Sequence, residues 1–265
     1  MKSNLFEDLA DISTGVNKLN VAVWLASEDM RARYARTALG PWWNVLSTAV
    51  FVFALGLTFG ALFGQPLETF LPYVAASIAC WNFMNSIVQD GPLVLVRANG
   101  IIQAYPLPLS TQIFRSVADK SMLMGHFLLV YVGLAIFLKL QITIPTILMF
   151  IPAALVYIVA AIGVSLALGV LGARFRDLGP ALATIMTMAF LLTPVFWQKV
   201  SLKPEQHWIT DLNPFFHLLE IGRQPLLGHY AAPEHWIASI GIAAFSLIAG
   251  SLIFATMRRK IYYWL

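Results

Sequence analysis

Apolar residues in this chain run in long stretches separated by short polar turns. Asn44 to Phe63, Phe70 to Val88, Val117 to Leu138, Pro145 to Ala173, Pro180 to Trp197 and Trp236 to Met257 are six such stretches. Each is near or above the roughly 20 residues that a helix needs to cross a bilayer core. The pattern predicts an all-α integral membrane protein with six transmembrane helices at 44–63, 70–88, 117–138, 145–173, 180–197 and 236–257, forming one domain over residues 1–265. Gly64-Gln65-Pro66 closes the first crossing, and Gln89-Asp90-Gly91-Pro92 closes the second.

The remaining segments are too mixed to cross. Leu5, Leu9, Ile12 and Val16 recur at steps of three and four with Glu7, Asp8 and Asp11 between them, which predicts an amphipathic helix lying on the membrane surface. Val21 to Thr37 mixes Trp24, Met30 and Tyr34 with Arg31, Arg33 and Arg36, a combination suited to the headgroup level. Residues 1–38 are therefore read as interface helices. Arg97, Asn99, Gly100, Pro106 and Pro108 interrupt the stretch after the second crossing, which gives a short helix at 93–104, a Tyr105-Pro-Leu-Pro108 break, and Ser110 as the cap of the third crossing helix. Between Lys199 and Gly228 the chain is apolar but carries Asp211, Asn213, Pro214, Glu220, Arg223 and Pro225. It is expected to enter the membrane and return as a re-entrant helical hairpin before the last crossing. Broken backbone survives at that depth only where protein or a wet cavity satisfies its N–H and C=O groups.

Composition agrees: 59% of residues are hydrophobic and 11% charged, against about 25% charged in a soluble domain. Six crossings with both termini in the cytosol place 13 of the 17 lysines and arginines inside and only Lys139, Lys199, Lys203 and Arg223 outside, as the positive-inside rule requires. The net charge of +4 is thus a signal of orientation rather than of nucleic-acid binding. The single cysteine, Cys80, lies in an apolar run and excludes an internal disulfide or a cysteine-based zinc site. The first 40 residues hold no apolar h-region of a cleaved signal peptide. No internal repeat is evident, which argues against a carrier built from duplicated halves.

Catalytic signals are sparse. No Gly-x-x-x-x-Gly-Lys-Ser/Thr loop is present, so any ATP that drives this protein is hydrolysed on another subunit. Glu68, Asp90, Asp119 and Asp177 all fall at the ends of crossings, whereas a proton or sodium relay needs acidic groups at depth. His126 lies inside the third crossing and reads as a neutral histidine bonded to a neighbouring helix. Paired with Ser165 it leaves open an intramembrane hydrolase, although Gly163-Val-Ser165 lacks the Gly-x-Ser-x-Gly spacing. Gly163, Ser165, Ala167 and Gly169 offer small residues for close helix contact.

Four motifs in order resemble the permease subunits of the ABC type-2 polysaccharide exporters: Arg31-Ala-Arg-Tyr-Ala-Arg-Thr-Ala-Leu-Gly-Pro-Trp-Trp43, the stretch ending Tyr105-Pro-Leu-Pro108, Ala173-Arg-Phe-Arg-Asp177, and Leu212-Asn-Pro-Phe-Phe-His-Leu-Leu-Glu-Ile-Gly-Arg223. That family exports O-antigen, capsular polysaccharide or teichoic acid on lipid carriers, and the closing Arg258-Arg-Lys-Ile-Tyr-Tyr-Trp-Leu265 favours the O-antigen branch. The resemblance implies a homodimer in the bacterial inner membrane with two ATP-binding subunits, ATP and Mg on those partners, and no cofactor or metal on this chain. It implies a coupling helix at 93–104, with Arg97, Asn99, Ile101 and Tyr105 toward the ATPase. It also implies a cytosolic entrance where Arg31, Arg33, Tyr34 and Arg36 meet the diphosphate of an undecaprenyl-linked glycan. A permease for a small hydrophobic drug or lipid is the alternative.

A sliding polysaccharide suits flat aromatic faces, so Phe51, Phe59, Tyr73, Trp81, Phe83, Tyr131, Tyr157, Phe190, Phe196 and Trp197 are candidate channel-lining residues. Each equally suits an interfacial belt or a lipid-facing position. Glu220 and Arg223, three apart, can pair on one helix face and, with Asn213, brace an outer gate.

Overall fold

The computed structural model describes residues 5–265, with side chains from Leu9 onward; the expectations for Lys2, Leu5, Glu7 and Asp8 lie outside the described side chains. The described residues are mostly helical and contain no strand. In order the helices are α1 (Leu5–Val16), α2 (Leu19–Tyr34), α3 (Trp42–Phe63), α4 (Leu67–Asp90), α5 (Val94–Arg97), α6 (Asn99–Ala104), α7 (Leu109–Phe137), α8 (Ile144–Leu148), α9 (Phe150–Arg174), α10 (Leu178–Leu192), α11 (Trp208–Asp211), α12 (Pro214–Leu226) and α13 (Pro233–Trp264). This is an all-α membrane fold. Ile144–Arg174, Trp42–Phe63, Leu109–Phe137 and Pro233–Trp264 are four helices long and apolar enough to cross a bilayer by length and composition. Leu67–Asp90 is long but more polar, and Leu178–Leu192 is apolar but only 15 residues, about 22 Å.

Several predicted bounds differ, α7 beginning at Leu109 and α13 running from Pro233 to Trp264, and three predicted stretches are interrupted. The run from Pro180 to Trp197 does not stay helical: α10 stops at Leu192, because Pro194 drives Thr193 into an extended conformation with ψ 134°. The fourth stretch is split into α8 and α9, since Pro152 has no N–H to offer the carbonyl of Leu148. The helix predicted at 93–104 is likewise broken, into a 3₁₀ turn at Gly91–Leu93 followed by α5 and α6.

In lipid the apolar face of a helix gains nothing by leaving its surroundings, so close packing has to hold helices together. α9 is built for that. A Cβ placed on Gly163 would strike the backbone of Ser246 and Leu247, and one on Gly250 would strike the Gly163 carbonyl, so α9 and α13 meet backbone to backbone. Further along, Gly172 rests against the backbone of Pro92, seating the 3₁₀ turn on α9.

Two apolar clusters follow. A large one gathers α4, α7, α9 and α12 around Ile78, Phe83, Tyr131, Tyr157 and Leu219. A smaller one, with Leu95, Leu109, Ile113, Val170, Phe254 and Ile261, ties α5 to the start of α7 and to the last turns of α9 and α13. The molecule therefore has a basic end, with α1, α2, α5, α6 and the close of α13, and a far end formed by the segment from Thr193 to Ala232.

The amphipathic α1 is not held by its apolar stripe alone. Asp11, expected among surface polar residues, is buried and accepts hydrogen bonds from the backbone N–H groups of Leu109 (3.2 Å) and Ser110 (3.0 Å). It also pairs with Arg258 at 2.8 Å. Ser110 is accordingly not the cap of α7. Its hydroxyl donates to the Asp11 carbonyl at 2.8 Å, and a carboxylate 98 residues earlier in the chain satisfies the orphan donors of the helix start.

Candidate functional site

The far end is organised around the break after α10. Where Thr193 and Pro194 leave the helix, their backbone groups are buried and need partners. Side chains from other helices supply them. Arg223 Nη1 donates to the Pro194 carbonyl (2.6 Å) and to Ser77 Oγ (3.0 Å), while its Nη2 donates to Glu220. Tyr73 donates to the carbonyls of Pro194 (3.0 Å) and Trp197 (2.7 Å), and its ring lies 4.3 Å from the Arg223 guanidinium carbon. Asn213 caps α12 by accepting from Phe215 N at 2.9 Å, and its amide donates to Thr193 Oγ1 at 2.9 Å.

Two further tyrosines pin α12 from behind. Tyr157 of α9 donates to the Leu218 carbonyl at 2.7 Å, and Tyr131 of α7 donates to the Leu226 carbonyl. The Glu220–Arg223 pair expected from the spacing forms, and both residues are buried (5% and 2% exposed), so neither faces external water. Gln224 adds a bond to the second Glu220 oxygen at 2.6 Å. The predicted pair of dipping helices is in fact one 13-residue helix, α12, preceded by irregular chain and the single turn of α11.

These contacts sort the aromatic candidates. Tyr131, Tyr157, Phe83 and Trp81 are buried within the chain, and Phe83 stacks on Tyr157 with centroids 5.9 Å apart. Phe196, also buried, packs between Phe59 (4.6 Å) and Phe190 (5.4 Å). Tyr73 and Trp197 are engaged at the break, where Trp197 Nε1 donates to the Leu191 carbonyl at 3.1 Å. For these rings the correction is that their faces or polar tips are occupied inside the protomer.

Phe51 and Phe190 are different. With Trp81 they border a groove between α3, α4 and α10 in two cavities of ≈ 240 and ≈ 340 Å³, which share Phe51, Asn82 and Asn85. Asn82, Asn85 and Gln89 fall on one helical stripe, and Gln89 donates to Asn85 at 2.8 Å. Sequence reasoning missed this amide stripe because within the apolar runs it looked for aromatic, acidic and catalytic residues. The i, i+3, i+7 spacing of amides inside an apolar run was the available signal.

At the basic end the cations are paired across helices. Arg33 Nη2 donates to both Asp119 oxygens at 3.0 Å, and Arg115 clasps Asp29 with two bonds of 2.5 Å, so α2 is tied twice to α7. Lys120 bridges Asp119 (3.1 Å) and Asp90 (2.5 Å), and Arg97 reaches Asp90 at 3.2 Å. Of the predicted entrance residues, Arg31 pairs with Glu28 on the surface, Tyr34 accepts from Asn44 at 2.6 Å, and Arg36 is exposed. The structure does not bring Arg31, Arg33 and Arg36 together on one ligand-sized site. Around the coupling segment, Asn99 donates to the Leu265 carbonyl at 3.1 Å, Ile101 is half-buried and Tyr105 is exposed.

His126 bonds the carbonyl of Met122 in its own helix at 2.9 Å rather than a neighbouring one. Among the described residues no hydrogen bond joins it to Ser165, which is buried in α9. Nor is there a cluster of three or more potential metal ligands among the described residues.

The family model for the ABC-2 type transporter matches residues 21–227. The chain belongs to this family. It is thus the membrane subunit of an ABC transporter, a multi-pass membrane protein, and membership implies an ATP-binding partner subunit. A relative in Klebsiella pneumoniae, the O-antigen export system permease protein RfbA, is 20% identical over 203 residues, covering 76% of this chain and 77% of that protein. The matched region takes in α2, both grooved faces of α3 and α4, the coupling segment, and the break with α12.

Proposed function

We propose that this permease exports a polysaccharide linked to undecaprenyl diphosphate, O-antigen foremost, across the bacterial inner membrane. It acts as a homodimer with two ATP-binding subunits that hold ATP and Mg. In this reading α3, α4, α7, α8 with α9, α10 and α13 are the six crossings, both termini are cytosolic, and the far end faces outward. The observation that carries the substrate class is the similarity to an O-antigen export permease along three quarters of both chains.

The groove supports it physically. Aromatic faces stack on sugar C–H surfaces, and side-chain amides donate and accept with hydroxyls, so Phe51 and Phe190 beside Asn82, Asn85 and Gln89 give a polyol a path without a charged trap. Exposed Arg36 and Arg31, with Tyr34 between them, give the cytosolic entrance its positive charge for the diphosphate, while Arg33 stays tied to Asp119. Nucleotide-driven movement of the partners enters through α5 and α6, where Arg97, Asn99, Ile101 and Tyr105 lie, and passes to α2 through the ion pairs on α7. The Glu220–Arg223 clamp with Asn213 holds the outer gate. Replacing Glu220 by Ala is expected to impair export while the ATP-binding subunit still co-purifies; full export by Glu220→Ala removes the gate role.

The reading is tested on lipid extracts of a strain lacking this permease. Accumulated undecaprenyl-linked glycan that clears on re-expression is the expected result. Unchanged glycan together with altered lipid or drug efflux instead assigns the small hydrophobic substrate.

A further inference from the structure

The far end holds a further cavity, apart from the groove, that shares Glu220 and Arg223 with the gate. It occupies ≈ 610 Å³ between the start of α4, the α7–α8 turn, the segment at Gln198–Val200, and the outer face of α12. Pockets for small molecules run from about 300 to 1,000 Å³, so the space suits a compact ligand rather than a polymer or a side chain. Its lining is polar in both senses. Glu68 and Glu220 bring acceptors, Lys199 and Gln224 bring donors, and Pro72, Leu140, Ile142 and Leu227 give apolar surface.

The charges decide the ligand class. Glu220 is matched to Arg223 in the buried pair, Lys199 is matched to Asp211 at 2.5 Å, and Glu68 is exposed, so the buried charges of the lining already have partners. A free anion or cation entering such a site leaves one partner uncompensated in a poorly solvated space. A neutral polyhydroxylated ring meets none of that cost, because each hydroxyl both donates and accepts. Among the described residues Arg223 Nε is buried without a hydrogen-bond partner, whereas the other two guanidinium nitrogens are satisfied. A buried unmet donor beside a cavity marks a place where a hydroxyl or an ordered water improves the structure.

We propose that this cavity is a saccharide-binding site for one or two neutral sugar units, positioned behind the gate helix α12 and distinct from the groove. It deepens the export reading, on which only the source of the sugar rests. Because Arg223 and Glu220 sit on both the cavity and the Pro194 break, a sugar held here stiffens the clamp and so reports to the gate that glycan is emerging.

The test uses the purified full-length permease in detergent and saturation-transfer NMR with three neutral probes, methyl α-mannoside, methyl β-galactoside and N-acetylglucosamine, with inorganic phosphate as the charged comparison. At least one sugar is expected to give a saturable signal, and phosphate none. Gln141→Trp, an exposed lining position whose ring fills the mouth, and His229→Ala, on the exposed rim, are expected to weaken that signal on the order of tenfold while the melting curve stays in place. Absence of any sugar signal in the wild-type protein, binding of phosphate alone, or a sugar signal unchanged in both variants overturns the proposal. Glycan accumulation in the deletion strain is read independently, so a dry cavity leaves the export reading standing.

Discussion

The two ends of this protein solve the same electrostatic problem in different ways. At the basic end, most charged side chains pair with one another between helices, Arg33 with Asp119, Arg115 with Asp29 and Lys120 with Asp90, and Asp11 on the start of α7 is the exception that serves backbone. At the far end, side chains repair backbone: Arg223, Tyr73, Tyr131 and Tyr157 reach the carbonyls of Pro194, Trp197, Leu218 and Leu226. The contrast follows from surroundings. At the basic end each of the pairs Arg33–Asp119, Arg115–Asp29 and Arg97–Asp90 keeps one partner partly exposed to water, which weakens it and lets it exchange partners. A chain broken in a dry interior has no water to fall back on, so its carbonyls need fixed donors and the segment becomes rigid.

The sharpest way to break the comparison is to remove Arg223. Arg223→Met leaves Glu220 buried without its cation and strips a donor from the Pro194 carbonyl. A loss of about 3–5 kcal/mol is expected, read as collapse of the folded fraction in detergent. Arg223→Lys is expected to rescue poorly, because a single ammonium cannot span Ser77, Pro194 and Glu220 in the fork that a guanidinium provides.

Next in size is Asp11→Ala, which orphans two N–H groups at the start of α7 and the Arg258 contact. A cost of about 1–3 kcal/mol is expected, seen as earlier proteolysis of the first helix. Tyr73→Phe comes third: Trp197 loses its donor, whereas Pro194 keeps Arg223. That change is expected to lower stability by about 1 kcal/mol and leave the expression level near normal.

Smallest is the surface pair of Lys199 and Asp211, 2.5 Å apart. The hydrogen bond from Lys199 holds the Asp211 carboxyl below its ordinary value of 3.8, with slight burial working the other way. A depressed carboxyl contributes stability above its unfolded pKa and loses it as pH falls through the folded one. The contribution is therefore intact at neutral pH and fades only below about 3.8. Melting curves of wild type and Asp211→Asn are expected to differ by under about 1 kcal/mol at pH 7 and to converge in acid.

The same contrast explains what could be read from the chain alone. Apolar length and the distribution of basic residues gave the helices, because a bilayer imposes both. The Glu220–Arg223 pair was legible since it is local, three residues apart on one helix. Asp11 capping α7, Arg33 reaching Asp119 and the tyrosines pinning α12 were not, because no local spacing links residues some 60 to 120 positions apart in sequence. The aromatic list went astray for the same reason: nothing in Tyr131 or Phe83 tells whether a ring faces a path or a neighbouring helix. The end of α10 could have been anticipated from Thr193-Pro194, had the proline been weighed above the apolar run.

The whole account requires the two ends to lie on opposite sides of the membrane. Single cysteines at two exposed positions, Val200→Cys at the far end and Tyr105→Cys at the basic end, can be probed with an impermeant maleimide against a quiet background, since Cys80 is buried. In intact spheroplasts the account predicts labelling at position 200 and none at position 105 until the membrane is opened. Labelling of both from the outside, or of position 105 alone, contradicts it.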